Sequence, residues 1–478
     1  LLFGLNIRQK RPIFHFCQEN DFMFHTFRRI ALSTLTAAAL SATLITPAAA
    51  QTAKPLKIGL LTDQSGALKE YGLEYTQGFA LGLKYATQGT LIAGGRPLST
   101  IIRDDTSKPD VSASQARDLI ENQGVELLAG SASSGVEVQL QKIASDYNMI
   151  LMAGPSASAA ITGANFNPET FRVCRSGAQD FIALASVLKS SGVKKVVVLA
   201  ADYDFGHTGA ASAEAAYKPL GLDFAPAVFA PQNTTDFTPY LQQVLASGAD
   251  ALQPIWAGAG SVTLYQQINE LGVNKKLTLI NAFNSNPIMK AATTPDQIGG
   301  IGFIVYHYTL PHTAVNDWLV TNHQKNYNGT FPDLFTECGF ATAQAIVAAL
   351  NTSNGDTSVK GLTPALEGLS FDGPRGSYYI RPSDHQVLLA AYIVKLTNIT
   401  DPAYKYYSLV KELGAIESAP PCALTGTYAA RCQMPMKPPA AMLQAATPAA
   451  TISATQAATM SATAAATMSA TMAATRSQ

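Results

Sequence analysis

Charge is scarce in this chain. Only 14% of its 478 residues are Asp, Glu, Lys or Arg, against roughly 25% in an average soluble protein. The 33 basic residues cancel the 33 acidic ones. A nucleic-acid binder needs a basic face to displace counterions from phosphates, so a balance of zero argues against one. Long apolar runs are missing too. After residue 50 none approaches the ~20 residues that span a bilayer, which excludes a polytopic membrane protein. Catalytic signatures are absent in turn: there is no G-x-x-x-x-G-K-[ST] phosphate loop, no G-x-S-x-G nucleophile turn and no H-E-x-x-H zinc pair. Gly258 and Gly260 form a lone G-x-G, too little for a dinucleotide fingerprint. His307 and His312 have no Cys or acidic neighbour in register and read as ordinary polar residues. No C-x-x-C occurs, which removes thioredoxin-like and zinc-knuckle chemistry. Neither a metal nor any other cofactor is expected, and nothing argues for an enzyme.

What is present is apolar bulk. Hydrophobic residues make up 47% of the chain, enough for a large core, and the length suggests about two or three domains. From Met23 the sequence carries Arg28 and Arg29, an apolar stretch from Ile30 to Leu40, and small residues Ala48, Ala49 and Ala50 before Gln51. That order predicts an export signal over 23–50, cleaved near Ala50, with no cysteine behind it for a lipid anchor. Residues 1–22 read as an upstream segment outside the fold. Export favours a disulfide between Cys422 and Cys432, ten apart in a Pro-rich stretch. The pairing of Cys174 and Cys338 is left open. From Ala419 the composition turns to Ala, Thr, Met, Pro and Ser with no bulky apolar stripe, which predicts a mobile low-complexity tail over 419–478.

Between these ends, short apolar runs alternate with helical periods. LKIGLL, LSTIIR, VELLAG and MILMA read as strands separated by helices. The rhythm restarts with KKVVVLA, FAPAV, DALQPIW and LTLIN. This is the β-α-β-α pattern of doubly wound parallel sheets, and two sets predict an α/β protein of two lobes. FIVYHY, long helices to about 350, and the late runs SYYI and VLLAAYIV follow, expected to return and complete both sheets.

Ligands of open α/β sheets bind at the carboxyl ends of strands, where small residues let backbone N–H groups and hydroxyls converge. Two such loops stand out here: Gly130-Ser131-Ala132-Ser133-Ser134-Gly135 and Gly154-Pro155-Ser156-Ala157-Ser158. Capping of the following helices would explain the serines equally well. The second lobe offers aromatics at matching places, with Tyr203 and Phe205, Trp256, and Phe283 between Asn281 and Asn284. Rings there would cover an organic ligand with large apolar area.

KIGLLTDQSGALKEYG, RDDTSKP, GSASSGV, ILMAGPSAS, ADYDFGHTG and the helix end at Gln267 to Gly272 occur in an order that resembles the periplasmic substrate-binding proteins of the branched-chain amino acid ABC transporter family. The resemblance runs from about residue 54 to about 410. It implies the type I periplasmic binding fold, with a cleft between two lobes: 54–175 with 306–372, and 176–305 with 373–410. The hinge crossings would then fall near 175, 305 and 373. The resemblance maps ligand contacts onto Tyr71, onto Ser133 or Ser134, onto Ser156, Ala157 and Ser158, onto Tyr203 or Phe205, and near Trp256, with Asn281 and Phe283 in the last inner loop. The family's amino-acid binders hold the ligand ammonium with an acid in that loop, where this chain reads Asn281-Ala282-Phe283-Asn284. A buried ammonium without an acid costs several kcal/mol, so the anion side of the site is expected to survive and the cation side to be lost. Ser107 stands at one position of a cysteine pair that some relatives carry. The implied protein is a monomeric periplasmic binder. It would capture a small carboxylate- or amide-bearing solute by lobe closure and deliver it to an ABC permease in the inner membrane. The alternative is a sensor that reports the same ligand to a membrane partner.

Overall fold

A computed structural model describes residues 54–443. The expected upstream segment, the export signal and residues 444–478 lie outside that range. The first strand, β1 (Leu56–Thr62), is almost wholly buried, as a parallel strand covered on both faces must be. It joins β2 (Ile92–Ala93), β3 (Arg96–Asp104), β4 (Leu127–Gly130), β5 (Leu151–Ala153) and β6 (Thr170–Arg172) in the order β2-β3-β1-β4-β5-β6. Every pairing is parallel except that of β2 with β3. Strand order reverses at β1, which opens a crevice at the carboxyl edge.

Side chains alternate between the two faces of this sheet, as the period of a strand dictates. Leu60, Leu127 and Met152 enter one cluster, and Leu61, Leu128 and Leu151 enter the other. The second face is covered by α2 (Pro109–Glu121) and α3 (Ser134–Asp146). The first is covered by α1 (Lys69–Ala86) and the helix Thr336–Thr352. Those two helices approach so closely that a Cβ at Gly78 would strike the Thr336 carbonyl, and one at Gly339 the Tyr75 carbonyl.

The second lobe repeats the plan. β7 (Lys195–Ala201), β8 (Asp223–Phe224), β9 (Val228–Ala230), β10 (Ala251–Ile255) and β11 (Thr278–Leu279) form a parallel sheet ordered β11-β10-β7-β8, with β9 also on β7. It is flanked by α4 (Gly177–Leu188) and α5 (Asp204–Tyr217). One residue beyond β11, β12 (Asn281–Ala282) pairs with β13 (Ile301–Ile304).

The late strands divide between the lobes at a different point from the one expected. β14 (Ser370–Gly373), β15 (Gly376–Ile380) and β16 (Val387–Leu388) make a small antiparallel sheet. Its Tyr378, Ile380 and Val387 share a buried cluster with Leu56 and Ile58, and Gln386 bridges to Arg172. The Tyr378 ring stacks 5.0 Å from Phe371, and its hydroxyl donates to Glu337 of the helix Thr336–Thr352. Only then do β17 (Ala391–Leu396) and β18 (Tyr407–Leu413) extend the second lobe as β12-β13-β17-β18. The chain thus changes lobes between β16, paired with β15, and β17, paired with β13, not near 373.

The tail also departs from expectation within the described residues. Ser418 donates to the Leu389 carbonyl (3.1 Å), and Arg381 to that of Pro420 (2.8 Å). Cys422 and Cys432 form a disulfide around the 3-10 turn Gly426–Gln433. Arg431 pairs with Glu367 (2.6 Å) and lies 5.2 Å over the Phe166 ring. Met442 is buried with Tyr379 and Leu388. A few isolated anchors do what an apolar stripe would otherwise do, and composition does not register them. A second disulfide joins Cys174 to Cys338, with Cα atoms 5.3 Å apart, and ties the end of the first sheet to the helix Thr336–Thr352. Among the described residues no helix is long and apolar enough to cross a membrane.

Candidate functional site between the lobes

The turn that launches α1 is built by Asp63, whose carboxylate accepts from the backbone N–H groups of Ser65 (3.1 Å) and Leu68 (2.7 Å). This places Tyr71, on the first turn of α1, at the cleft. The phenol donates to Asn284 Oδ1 (2.5 Å) and accepts from the Gly258 N–H (3.1 Å), both in the other lobe. Gly258 is held at φ +70°, beside a turn in which the Trp256 indole donates to the Ala259 carbonyl (2.8 Å). The Ala259 N–H donates to the Ala67 carbonyl (2.8 Å), Ser285 to Glu70 (2.9 Å), and the Asn286 N–H to Asp333 (2.8 Å). The lobes therefore meet over a seam of hydrogen bonds.

Behind the seam lies a cavity of about 90 Å³. Tyr71 and Phe335 line it from the first lobe, and Phe181, Phe205, Trp256 and Phe283 from the second. Tyr71 and Phe335 meet edge to face, centroids 4.8 Å apart. The charged groups in the wall are Arg175 and Asp180, paired at 3.4 Å. Burial, only partly offset by Arg175, Arg375 and Arg172, pushes the Asp180 carboxyl up to about 6. At the seam, burial and the neighbouring Glu70 push Asp333 up to about 7, against the Asn286 N–H that holds it down. Burial likewise raises Glu70 and Glu74.

Of the residues singled out from the sequence, Tyr71, Ala157, Phe205, Trp256 and Phe283 line this cavity. The serines are turned inward. Ser133 caps α3, Ser158 accepts from the Ala160 N–H (3.2 Å), and Ser156 donates to Glu137 (3.0 Å). Ser134 Oγ takes the N–H groups of both Ala157 (3.3 Å) and Ser158 (3.1 Å), so the donors expected to hold an anion are engaged within the protein. Burial lifts Glu137, beneath these loops, to about 8, although three donors surround it. Tyr203 packs beside Phe205, centroids 5.9 Å apart, without lining the cavity. Asn281 donates to the Ile301 carbonyl (3.2 Å) and lines a smaller neighbouring hollow shared with Phe283. Arg175, Asp180 and Phe335 escaped the sequence reading. The only mark of the first two is their place where one lobe passes to the other. Asp63, Asp104 and Asp105 bring carboxylate oxygens within 4.8 Å of one another. Backbone N–H groups and hydroxyls of these and the neighbouring loop after β4 occupy them, as in the bonds from Gln64 (2.9 Å) and Ser131 (2.5 Å).

Two doubly wound lobes meeting over a small aromatic cavity define a bilobal solute-binding protein. The family model described as periplasmic binding protein matches residues 55–401, and the chain belongs to that family. The chain is 32% identical to a structure of an ABC-type branched-chain amino acid transporter protein from Rhodopseudomonas palustris CGA009. That match covers 78% of this chain and all of the other, with a TM-score of 0.64. A Leu/Ile/Val-binding protein homologue from Brucella melitensis is 22% identical over 383 residues, 79% of this chain and 95% of the relative. A solute-binding protein from Rhodopseudomonas palustris BisB5, solved with 3,4-dihydroxybenzoic acid, shares the fold at 21% identity and TM-score 0.67, over 76% of this chain and 98% of that one. The family consists of extracytoplasmic solute-binding proteins of transporters, not enzymes. Its ABC-transporter members bind small molecules and work with membrane permeases.

Proposed function

We propose that this protein is the exported, monomeric solute-binding component of an ABC importer, and that its lobes close on a small organic solute bearing a carboxylate or amide. The observation that carries this reading is the cavity itself. It is ringed by aromatic side chains from both lobes and bolted across by Tyr71. A ligand touching both walls stabilises the closed arrangement by its differential affinity for it. Tyr71, Ala157, Phe205, Trp256 and Phe283 are the contacts. Ser133, Ser134, Ser156, Ser158, Tyr203 and Asn281 shape the loops that hold them. The aromatic ligand of the Rhodopseudomonas relative is compatible with walls of this kind.

A thermal-shift screen of residues 51–478 against carboxylates, their amides and leucine tests the reading. A ligand of the native state raises the melting temperature by mass action, about 2.7 kcal/mol of added stability at a hundred times Kd. Shifts with apolar-bodied acids or amides, and none with leucine, are expected. A leucine shift alone would restore an amino-acid binder.

A further inference from the structure

Arg175 and Asp180 are the charged members of the cavity wall. Arg175 directs one terminal nitrogen to the Pro155 carbonyl (3.2 Å) and the other to Asp180 Oδ2 (3.4 Å). Its guanidinium lies 5.4 Å over the Phe335 ring. The Nε of Arg175 and the Oδ1 of Asp180 are buried and have no hydrogen-bond partner. A neutral ion pair is thus left with one spare donor and one spare acceptor, in a place where unmade hydrogen bonds are costly.

We infer that the Arg175–Asp180 pair anchors the head group of the solute, and that it selects a group that accepts and donates at once: a primary carboxamide on an apolar or aromatic body. The inference rests on the solute-binding reading above. With a turn of the two side chains toward the cavity, the amide oxygen takes the Arg175 Nε–H, the amide nitrogen donates to Asp180 Oδ1, and no net charge is added to a buried neutral pair. An ammonium brings three donors to a single free oxygen. A carboxylate brings acceptors only, and it meets Asp180 as a like charge. It enters when Asp180 carries a proton, which then becomes the missing donor. The charged and titratable groups facing Asp180 are Arg172, Arg175 and Arg375, with Tyr217 on α5; Tyr392 of β17 faces Arg375. With the Asp180 carboxyl near 6, carboxylate binding above that pH takes up a proton, whereas amide binding does not.

Titration calorimetry on residues 51–478 with benzamide, benzoate, phenylacetamide and phenylacetate at pH 5.5 and 7.5 tests this. At least one amide is expected to bind about fourfold more tightly at pH 7.5 than at 5.5, with its acid about twenty-fold weaker at pH 7.5 than at 5.5. Asp180→Asn should bind the acid with no such pH dependence, and Arg175→Met should weaken acid and amide alike by about tenfold or more. An acid that binds the wild-type protein equally at both pH values overturns the head-group assignment and leaves the solute-binding reading intact. Binding by none of the four probes overturns the head-group assignment, and a thermal shift with another acid or amide in the wider screen would leave the solute-binding reading standing. The wild-type comparison needs no variant, so a poorly folding substitution does not blunt the test.

Discussion

Gly258 shows how a single residue connects backbone geometry to lobe closure. Its φ of +70° lies in the left-handed region, and a Cβ there would run into the Ala67 carbonyl of the opposite lobe. Ala at this position carries about 1–2 kcal/mol of left-handed strain in any state, but meets the clash only when the lobes are shut. Gly258→Ala is therefore expected to fold and to melt only slightly early, yet stay open with ligand. Small-angle scattering would show a radius of gyration that no longer contracts on ligand addition, and contraction equal to wild type would refute this. At this scale the sequence was readable where a residue's type implies its use. Phe205, Trp256 and Phe283 are large rings after strand ends, the family resemblance adds Tyr71, and the structure brings all four to one cavity. The serines were ambiguous because a hydroxyl serves a helix cap as well as a ligand; here Ser133 and Ser158 cap helices, and Ser134 and Ser156 bond within the loops. Arg175 and Asp180 were invisible because their significance lies in unfilled hydrogen bonds, a property of packing that residue type does not encode.

Among the elements, the strands of both sheets were legible because continuous apolar runs bounded by turn residues have few other readings. The assignment of β15 and β16 to the first lobe was not. SYYI is apolar enough for either core, and the choice is made by contacts with Phe371 and Glu337. The segment from Ser418 to Met442 departs from expectation for a related reason, since its attachment rests on scattered contacts of Ser418, Pro420, Arg431 and Met442. Arg431→Ala removes both the Glu367 pair and the contact with Phe166, a loss of about 1–2 kcal/mol for partly buried groups. Limited proteolysis should then cut between 419 and 443 while the rest of the fold resists, with solute affinity retained. Cleavage no faster than in wild type would show that Ser418, Pro420 and Met442 hold the segment without the arginine.

For the molecule as a whole, the seam between the lobes sets a pH dependence. Glu70, Glu74 and Asp333 are all raised by burial, and the Asp333 carboxyl reaches about 7. A carboxyl whose folded value lies above its ordinary 3.8 binds more protons folded than unfolded between those limits. Its contribution to stability is thus full below about 4 and lost as pH rises through 7. Buried His307 works in the opposite sense: burial depresses it to about 4, and its stability is lost as pH falls from 6.5 toward that value. The net curve mixes these effects, but the difference between wild type and Asp333→Asn isolates one of them. Asn cannot ionise, so it escapes the repulsion from Glu70 at high pH and keeps an acceptor for the Asn286 N–H. Melting temperatures measured from pH 5 to 8 should show the variant gaining on wild type as pH rises, with most of the change between 5 and 7 and little above. Parallel melting curves would mean that Asp333 stays ionised throughout, and that the lobes meet over a charged cluster that the fold tolerates at every pH.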